Sequence, residues 1–231
     1  MLFRSAPGEV HVWHANLVGG FPGDSAILDV EERARAGRLL MLDGRAQFIA
    51  AHAFTRIVIA HYLGCAPETV RFAYAPQGKP FLAEQENSSG LRFNASRSGG
   101  YAAVALTLAR EVGVDVEAIA PRAGLHMLID RALCETERAR LSALTGTERE
   151  AAFFRFWARK EAYLKARGLG LAIPPNAVDT ASLDALRVKG EPETGWRVED
   201  VKLAPGYAAA IAGEGRDWRV TTVRAFTEPA R

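Results

Sequence analysis

The hydrophobic and polar positions of this chain fall into helix-like and strand-like segments that repeat in the same order. Val10–Leu17 alternates as a strand does, and the segment from Asp29 to Met41 has helical spacing with Asp29 placed to cap it. A second helix is expected from about Arg45 to Leu63, stopped by Gly64. Short strands follow near Val70–Ala75, Leu91–Ala95, Tyr101–Leu108 and Val112–Ile119, with Ser98-Gly99-Gly100 as a hairpin turn between two of them. After Pro121 the helical period returns at Leu125–Leu133, Glu135–Leu144 and a long run from Thr147 to Arg167 that ends at Gly168. Strands near Arg197–Leu203, Tyr207–Ala212 and Trp218–Ala225 close the chain, and Ala181–Thr194 reads as a solvated connection. Helices then strands, twice over, predict an α+β fold of two similar halves, 1–118 and 119–231, joined near Ala118–Ala123. No residue-level repeat is visible between them.

The most specific chemistry lies in two distant stretches. In Gly113-Val114-Asp115-Val116-Glu117, alternation puts Asp115 and Glu117 on one face of a strand and the valines on the other. On the long helix, steps of about 100° line up Phe154, Trp157, Glu161 and Lys165, so that an acid and a lysine stand on an aromatic stripe. A lone ionised carboxylate there is costly and calls for a cation or a metal. Three carboxylates and a lysine make a hard-cation site of the Mg²⁺ type, with room for phosphate oxygens. The plainer readings are a solvated sheet face for Asp115 and Glu117 and an ordinary i,i+4 pair for Glu161 and Lys165. Against them, Arg155 and Arg159 mark the opposite side of the helix as the one expected to carry its solvent charges.

Composition narrows the classes. With 231 residues, 48% hydrophobic and 24% charged, the chain is globular, either one large domain or two small ones. A net charge of +2 argues against a general nucleic-acid binder. Two cysteines are too few for a disulfide framework or a structural zinc site, which makes a reducing cytoplasm the default location. Met1-Leu2-Phe3-Arg4-Ser5 lacks the pattern of a secretory signal, and no apolar run is long enough to span a membrane. His11 and His14 point to opposite faces of their strand and His52 and His61 to opposite sides of their helix, so these histidines, and His126, are expected to be structural.

Gly-Val-Asp-Val-Glu followed by Trp157-x-x-Lys160-Glu161-Ala162-x-x-Lys165 and Gly168-x-Gly170-Leu171 resembles the paired signature of the 4′-phosphopantetheinyl transferases, specifically their larger single-chain class. Gly78-Lys79-Pro80-Phe81-Leu82, Phe93-Asn94-Ala95-Ser96 running into Ser98-Gly99, and the arginine-rich segment 32–38 fit the same family in the same order. The resemblance implies a cytoplasmic monomer of two pseudo-symmetric halves with coenzyme A held between them. The phosphopantetheine arm is moved to a serine of an acyl or peptidyl carrier protein, with release of 3′,5′-ADP. Carried over residue by residue, it assigns Mg²⁺ to Asp115, Glu117 and Glu161, proton acceptance to Glu161, and stabilisation of the leaving group to Lys165. Arg35 and Lys79 match cations that contact coenzyme A phosphates, and Ser96 a residue near the 3′-phosphate. Arg97 stands where the family has histidine: it can bind phosphate with a fixed fork of donors, but it cannot act as a base. Another Mg²⁺-dependent phosphodiester enzyme, or a non-catalytic module that binds coenzyme A or a carrier protein, are the alternative readings.

Overall fold

A computed structural model describes residues 8–19, 24–83, 87 and 89–225. In chain order the first elements are β1 (Glu9–Asn16), α1 (Asp24–Ile27), α2 (Val30–Gly37), α3 (Leu42–Leu63), β2 (Phe72–Tyr74), β3 (Pro80–Leu82), β4 (Leu91–Ser98), β5 (Tyr101–Leu108) and β6 (Val112–Ala118). They are followed by α4 (Leu125–Ala132), α5 (Glu135–Ser142), α6 (Gly146–Arg167), β7 (Val178–Asp179), β8 (Arg187–Val188), β9 (Glu191–Pro192), β10 (Trp196–Asp200), β11 (Tyr207–Glu214) and β12 (Arg219–Arg224).

Two sheets lie face to face between two long helices. One has the order β12-β1-β5-β4 and the other β10-β11-β6. Alternation decides what each strand face meets. Ala102, Val104 and Leu106 of β5 pack under α3 with Phe54 and Val58, whereas Ala103 and Ala105 join Val10, Val12, Val114, Val116 and Ile211 between the sheets. On the far side Ala208, Ala210 and Ala212 of β11 pack against Ala158, Ala162 and Ala166 of α6. Gly113 makes this approach possible. A Cβ there would stand 2.1 Å from the Ala162 carbonyl oxygen, so no side chain fits between β6 and α6.

The sheets exchange strands. β6 follows β5 in the chain but pairs with β11, and β12 follows β11 but runs parallel to β1. At the open edge of β6 no further strand is added. Instead Asn94, Ser96 and Ser98, alternate residues of β4, accept from the amides of Val114 (2.9 Å), Val116 (3.4 Å) and Ala118 (3.2 Å). The spacing of Asn-x-Ser-x-Ser is thus the period of a strand edge whose amides need partners.

Each long helix is anchored by a buried cation. In α3, Arg56 donates to Glu32 at 2.6 Å, to Asp29 at 2.5 Å and to the Val70 carbonyl, next to the 3-10 turn Pro67–Thr69. In α6, Lys160 pairs with Glu137 at 2.6 Å and donates to the carbonyls of Pro175 and Val178, flanking the 3-10 turn Pro175–Ala177. Glu32 and Glu137 are both the third residue of a capping box, on α2 and α5.

Most expected boundaries agree within two or three residues, and Gly99 and Gly100 turn the β4–β5 hairpin with φ of 55° and 79°, as a type I′ turn demands. Two expectations are corrected and one strand is added. Ala181–Thr194 carries two-residue strands, too short to show alternation, and buries Ala181 and Leu186. Pro80–Leu82 is a strand paired with β2. Arg159 is buried and forks onto Asp200 at 2.7 and 2.6 Å, because the small β7-β8-β9 sheet and β10 cover the side of α6 that lacked a visible partner. Residues 1–5 lie outside the described residues; among those described, no helix is long and apolar enough to cross a membrane.

Candidate active site

The polar face of β6, the open edge of α6 and the end of β4 meet in a cleft. Asp115 is 3% exposed. Its Oδ1 accepts from Lys165 Nζ at 2.6 Å and from Ser96 Oγ at 2.8 Å, and Lys165 also donates to Ser96 at 2.9 Å. Its Oδ2 is buried and has no hydrogen-bond partner. A carboxylate oxygen shut away from water without a donor is expensive, and it is the strongest local sign that this side chain faces a cation in the working protein. Burial pushes the Asp115 carboxyl up to about 6; Lys165 and Ser96 offset part of that and Glu117 adds to it.

Glu117 is held from two sides, by Ser98 Oγ at 2.8 Å on Oε2 and by Trp157 Nε1 at 3.0 Å on Oε1. Glu161 is half-buried one turn beyond Trp157. Burial, with Glu117 adding, holds its carboxyl above the usual range against the pull of Lys165. Trp157, Glu161 and Lys165 form a partly exposed stripe on a helix that from Ala152 onward is otherwise mostly buried, Arg155 apart. Trp157 stacks on Phe153 at the margin of the aromatic core, whereas Glu161 and Lys165 line the cleft, where Lys165 takes Asp115 as its partner.

Two adjoining cavities of about 340 and 310 Å³ open from this point, sharing Gly78, Pro80, Ala95 and Lys165. The first holds Arg35, Arg97, Ser96 and His52. Arg35 and Arg97 lie over the same ring, Phe48, at 5.8 and 5.9 Å. The second holds Glu161 and Lys79. Lys79 Nζ turns to Glu111 at 2.6 Å and to the Ala166 carbonyl at 2.8 Å, where it ties the 78–80 loop to the C-terminal end of α6.

Asp115, Glu117, Glu161, Lys165 and Ser96 are thus together, Arg35 and Arg97 share the neighbouring cavity, and Lys79 lies on the cavity wall with its charge engaged. Sequence reasoning missed Ser98 and Trp157 as partners of Glu117; the signal was the spacing of two between Ser96 and Ser98, matched to that between Asp115 and Glu117. A separate set, Cys134, Glu137 and Asp179, brings its ligand atoms within 4.8 Å of one another. Glu137 there is already saturated by Lys160, Thr180 and the Cys134 amide.

Residues 111–222 match the 4′-phosphopantetheinyl transferase superfamily and residues 20–109 the 4′-phosphopantetheinyl transferase N-terminal family. The chain is 32% identical over 214 residues to the 4′-phosphopantetheinyl transferase HetI of Nostoc sp., covering 91% of this chain and 90% of that one. The chain belongs to the 4′-phosphopantetheinyl transferases. A putative transferase of this family from Synechocystis sp. is 36% identical over 151 residues, 65% of this chain and 61% of that one. The solved holo-(acyl-carrier-protein) synthase of Bacillus anthracis, in complex with CoA (3′,5′-ADP), is a partial likeness at 23% identity and a TM-score of 0.35, covering 46% of this chain and 96% of that one. Both family matches fall on the cleft: the N-terminal one carries Arg35, Ser96 and Arg97, and the other carries the three carboxylates and Lys165.

Proposed function

We propose that this transferase moves 4′-phosphopantetheine from coenzyme A to a serine of an apo acyl or peptidyl carrier protein, releasing 3′,5′-ADP, as a holo-[acyl-carrier-protein] synthase does. The observation that carries this reading is the unpartnered, buried Oδ2 of Asp115, whose other oxygen is held by Lys165 and Ser96, two residues that line a cavity together with Arg35 and Arg97. The donor set, three carboxylates and no thiol or imidazole, suits Mg²⁺, which Asp115, Glu117 and Glu161 would hold. Held there, the ion would supply neutralisation of charge on the pyrophosphate.

The remaining work falls to the chain itself. Glu161 takes the proton as the serine oxygen bonds to the phosphorus that carries pantetheine and the bond to 3′,5′-ADP breaks. Lys165 donates to the departing phosphate, and Arg35 and Arg97 bind the nucleotide end. Arg97 cannot be a base, so Glu161 has no competitor at that position. A cytoplasmic monomer belongs to the same reading, as do halves 1–118 and 119–231 related by pseudo-twofold symmetry; the paired anchors of α3 and α6 support the symmetry alone.

Incubation with coenzyme A, Mg²⁺ and several apo carrier proteins, followed by intact-protein mass measurement, tests it. The expected result is gain of one phosphopantetheine by a carrier and none with Glu161→Gln. Absence of transfer to every carrier overturns it.

A further inference from the structure

We propose that His52 is an anion-binding residue of this cavity, its Nε2 gripping the 3′-phosphomonoester of coenzyme A together with Arg35 and Arg97; the inference rests on coenzyme A being the substrate. His52 stacks on Phe48 with ring centroids 4.0 Å apart, and its Nδ1 lies 2.8 Å from Glu32 Oε1. Glu32 is itself buried. Its other oxygen accepts from Arg56 at 2.6 Å and from the Asp29 amide at 3.0 Å. Although burial raises its carboxyl, the bonds from His52 and the Asp29 amide and the Arg56 charge outweigh that and hold it below the ordinary range, so Glu32 is ionised at neutral pH. An ionised carboxylate only accepts. The proton therefore sits on Nδ1, and the ring is fixed in orientation with Nε2 as its remaining polar atom. The side chain keeps 28% of its surface exposed and lines the cavity.

The cavity that His52 lines is positive. Arg35 of α2 and Arg97 of β4 converge on the ring that His52 stacks against, and neither forms an ion pair among the described residues. Thr55 of α3, Tyr74 of β2, Ser96 and Lys165 of α6 complete the polar lining; Glu32, the one carboxylate among the described lining residues, is engaged by Arg56 and His52. Two guanidiniums over one ring repel each other unless a multivalent anion joins them. A phosphomonoester does so, and it draws a proton onto Nε2, which then donates while Glu32 balances the imidazolium from behind.

The test is calorimetry of the full chain with coenzyme A and with dephospho-coenzyme A, in Mg²⁺ buffer, for the wild type, His52→Asn and His52→Gln. Asparagine places a donor near the Nδ1 position and keeps the bond to Glu32 while deleting Nε2; glutamine reaches toward Nε2. His52→Asn is expected to weaken coenzyme A about tenfold, the scale of one charged hydrogen bond, and to leave dephospho-coenzyme A within about twofold. His52→Gln should recover part of the loss. Equal losses for both ligands, or no loss in either variant, overturn the inference. If the wild type binds neither ligand, the coenzyme A reading itself fails, and with it the assignment of His52.

Discussion

The two long helices are built alike and used differently. Both α3 and α6 have 22 residues and end on a left-handed glycine, Gly64 or Gly168. Arg56 stands fourteen residues after Leu42, as Lys160 does after Gly146, and each is bound by a capping-box glutamate and the carbonyls around a 3-10 turn. In that register, however, Trp157, Glu161 and Lys165 of α6 match Ala53, Ile57 and His61 of α3. The buried anchor is common to both helices, while the acid and lysine directed at the cleft occur on one. A buried ion pair is weak evidence of net stability but strong evidence of register, since one partner without the other is heavily penalised. The duplicated feature therefore sets where each helix lies, and chemistry is added on the cleft side of α6 alone.

The largest effect expected from this asymmetry is catalytic. Glu161→Gln should lower kcat by roughly 10²–10⁴-fold, the range for a positioned general base, whereas His61→Ala, exposed on α3, should leave transfer near wild type. Turnover measured at limiting Mg²⁺ checks both, and a comparable loss from His61→Ala breaks the division of labour between the helices.

Removal of the anchors should have nearly equal consequences in the two halves. Arg56→Met and Lys160→Met each strand a buried carboxylate and are expected to cost about 3–5 kcal/mol in denaturant unfolding. If one is mild and the other severe, the anchors are not equivalent and the case for paired halves weakens.

These anchors also show what could and could not be read in the chain. Tyr101–Leu108 and the ends of α3 and α6 were legible because alternation, apolar period and terminal glycines are local signals. The grouping of Asp115, Glu117, Glu161 and Lys165 was legible because strand alternation and helical period select one face each. The likeness of the two helix anchors was not, since an arginine and a lysine do the same work and Asp29-Val30-Glu31-Glu32 shares with Cys134-Glu135-Thr136-Glu137 only the capping geometry and its glutamates. Arg159 looked solvated for a related reason: its partner Asp200 and the Thr180 carbonyl lie on elements far along the chain, which periodicity does not report.

Asp115 and Glu32 sharpen the contrast through opposite pH dependences. The Glu32 carboxyl is held low, so its stabilising contribution is present above the ordinary glutamate pKa and lost as pH falls. Asp115 is raised to about 6, so the folded state holds that proton more tightly than the unfolded chain and loses stability as pH climbs from about 4 to about 6. Asp115→Asn should then stabilise the metal-free protein by on the order of 2 kcal/mol above pH 6 and by almost nothing near pH 4. Added Mg²⁺ should raise the wild-type Tm and not that of the variant. Melting curves in chelator and in Mg²⁺ give both readouts, and a variant less stable than wild type at pH 7 in chelator contradicts the buried-charge account.

The smallest expected effect isolates the indole at a position where α3 has only Ala53. Trp157 stacks against Phe153 and donates to Glu117 Oε1, so Trp157→Phe keeps much of the packing and deletes the hydrogen bond. Glu117 would still be held by Ser98 through its other oxygen, so the carboxylate stays near the cleft but can rotate away from it. A lost hydrogen bond to a charged group is worth about 1.5 kcal/mol at the lower end, or roughly tenfold in affinity. The Mg²⁺ concentration for half-maximal transfer should therefore rise about tenfold, with kcat at saturating Mg²⁺ close to wild type and little change in Tm. A fall in kcat with unchanged Mg²⁺ dependence would instead place Trp157 against the substrate, and its bond to Glu117 would no longer explain why α6 carries an indole there.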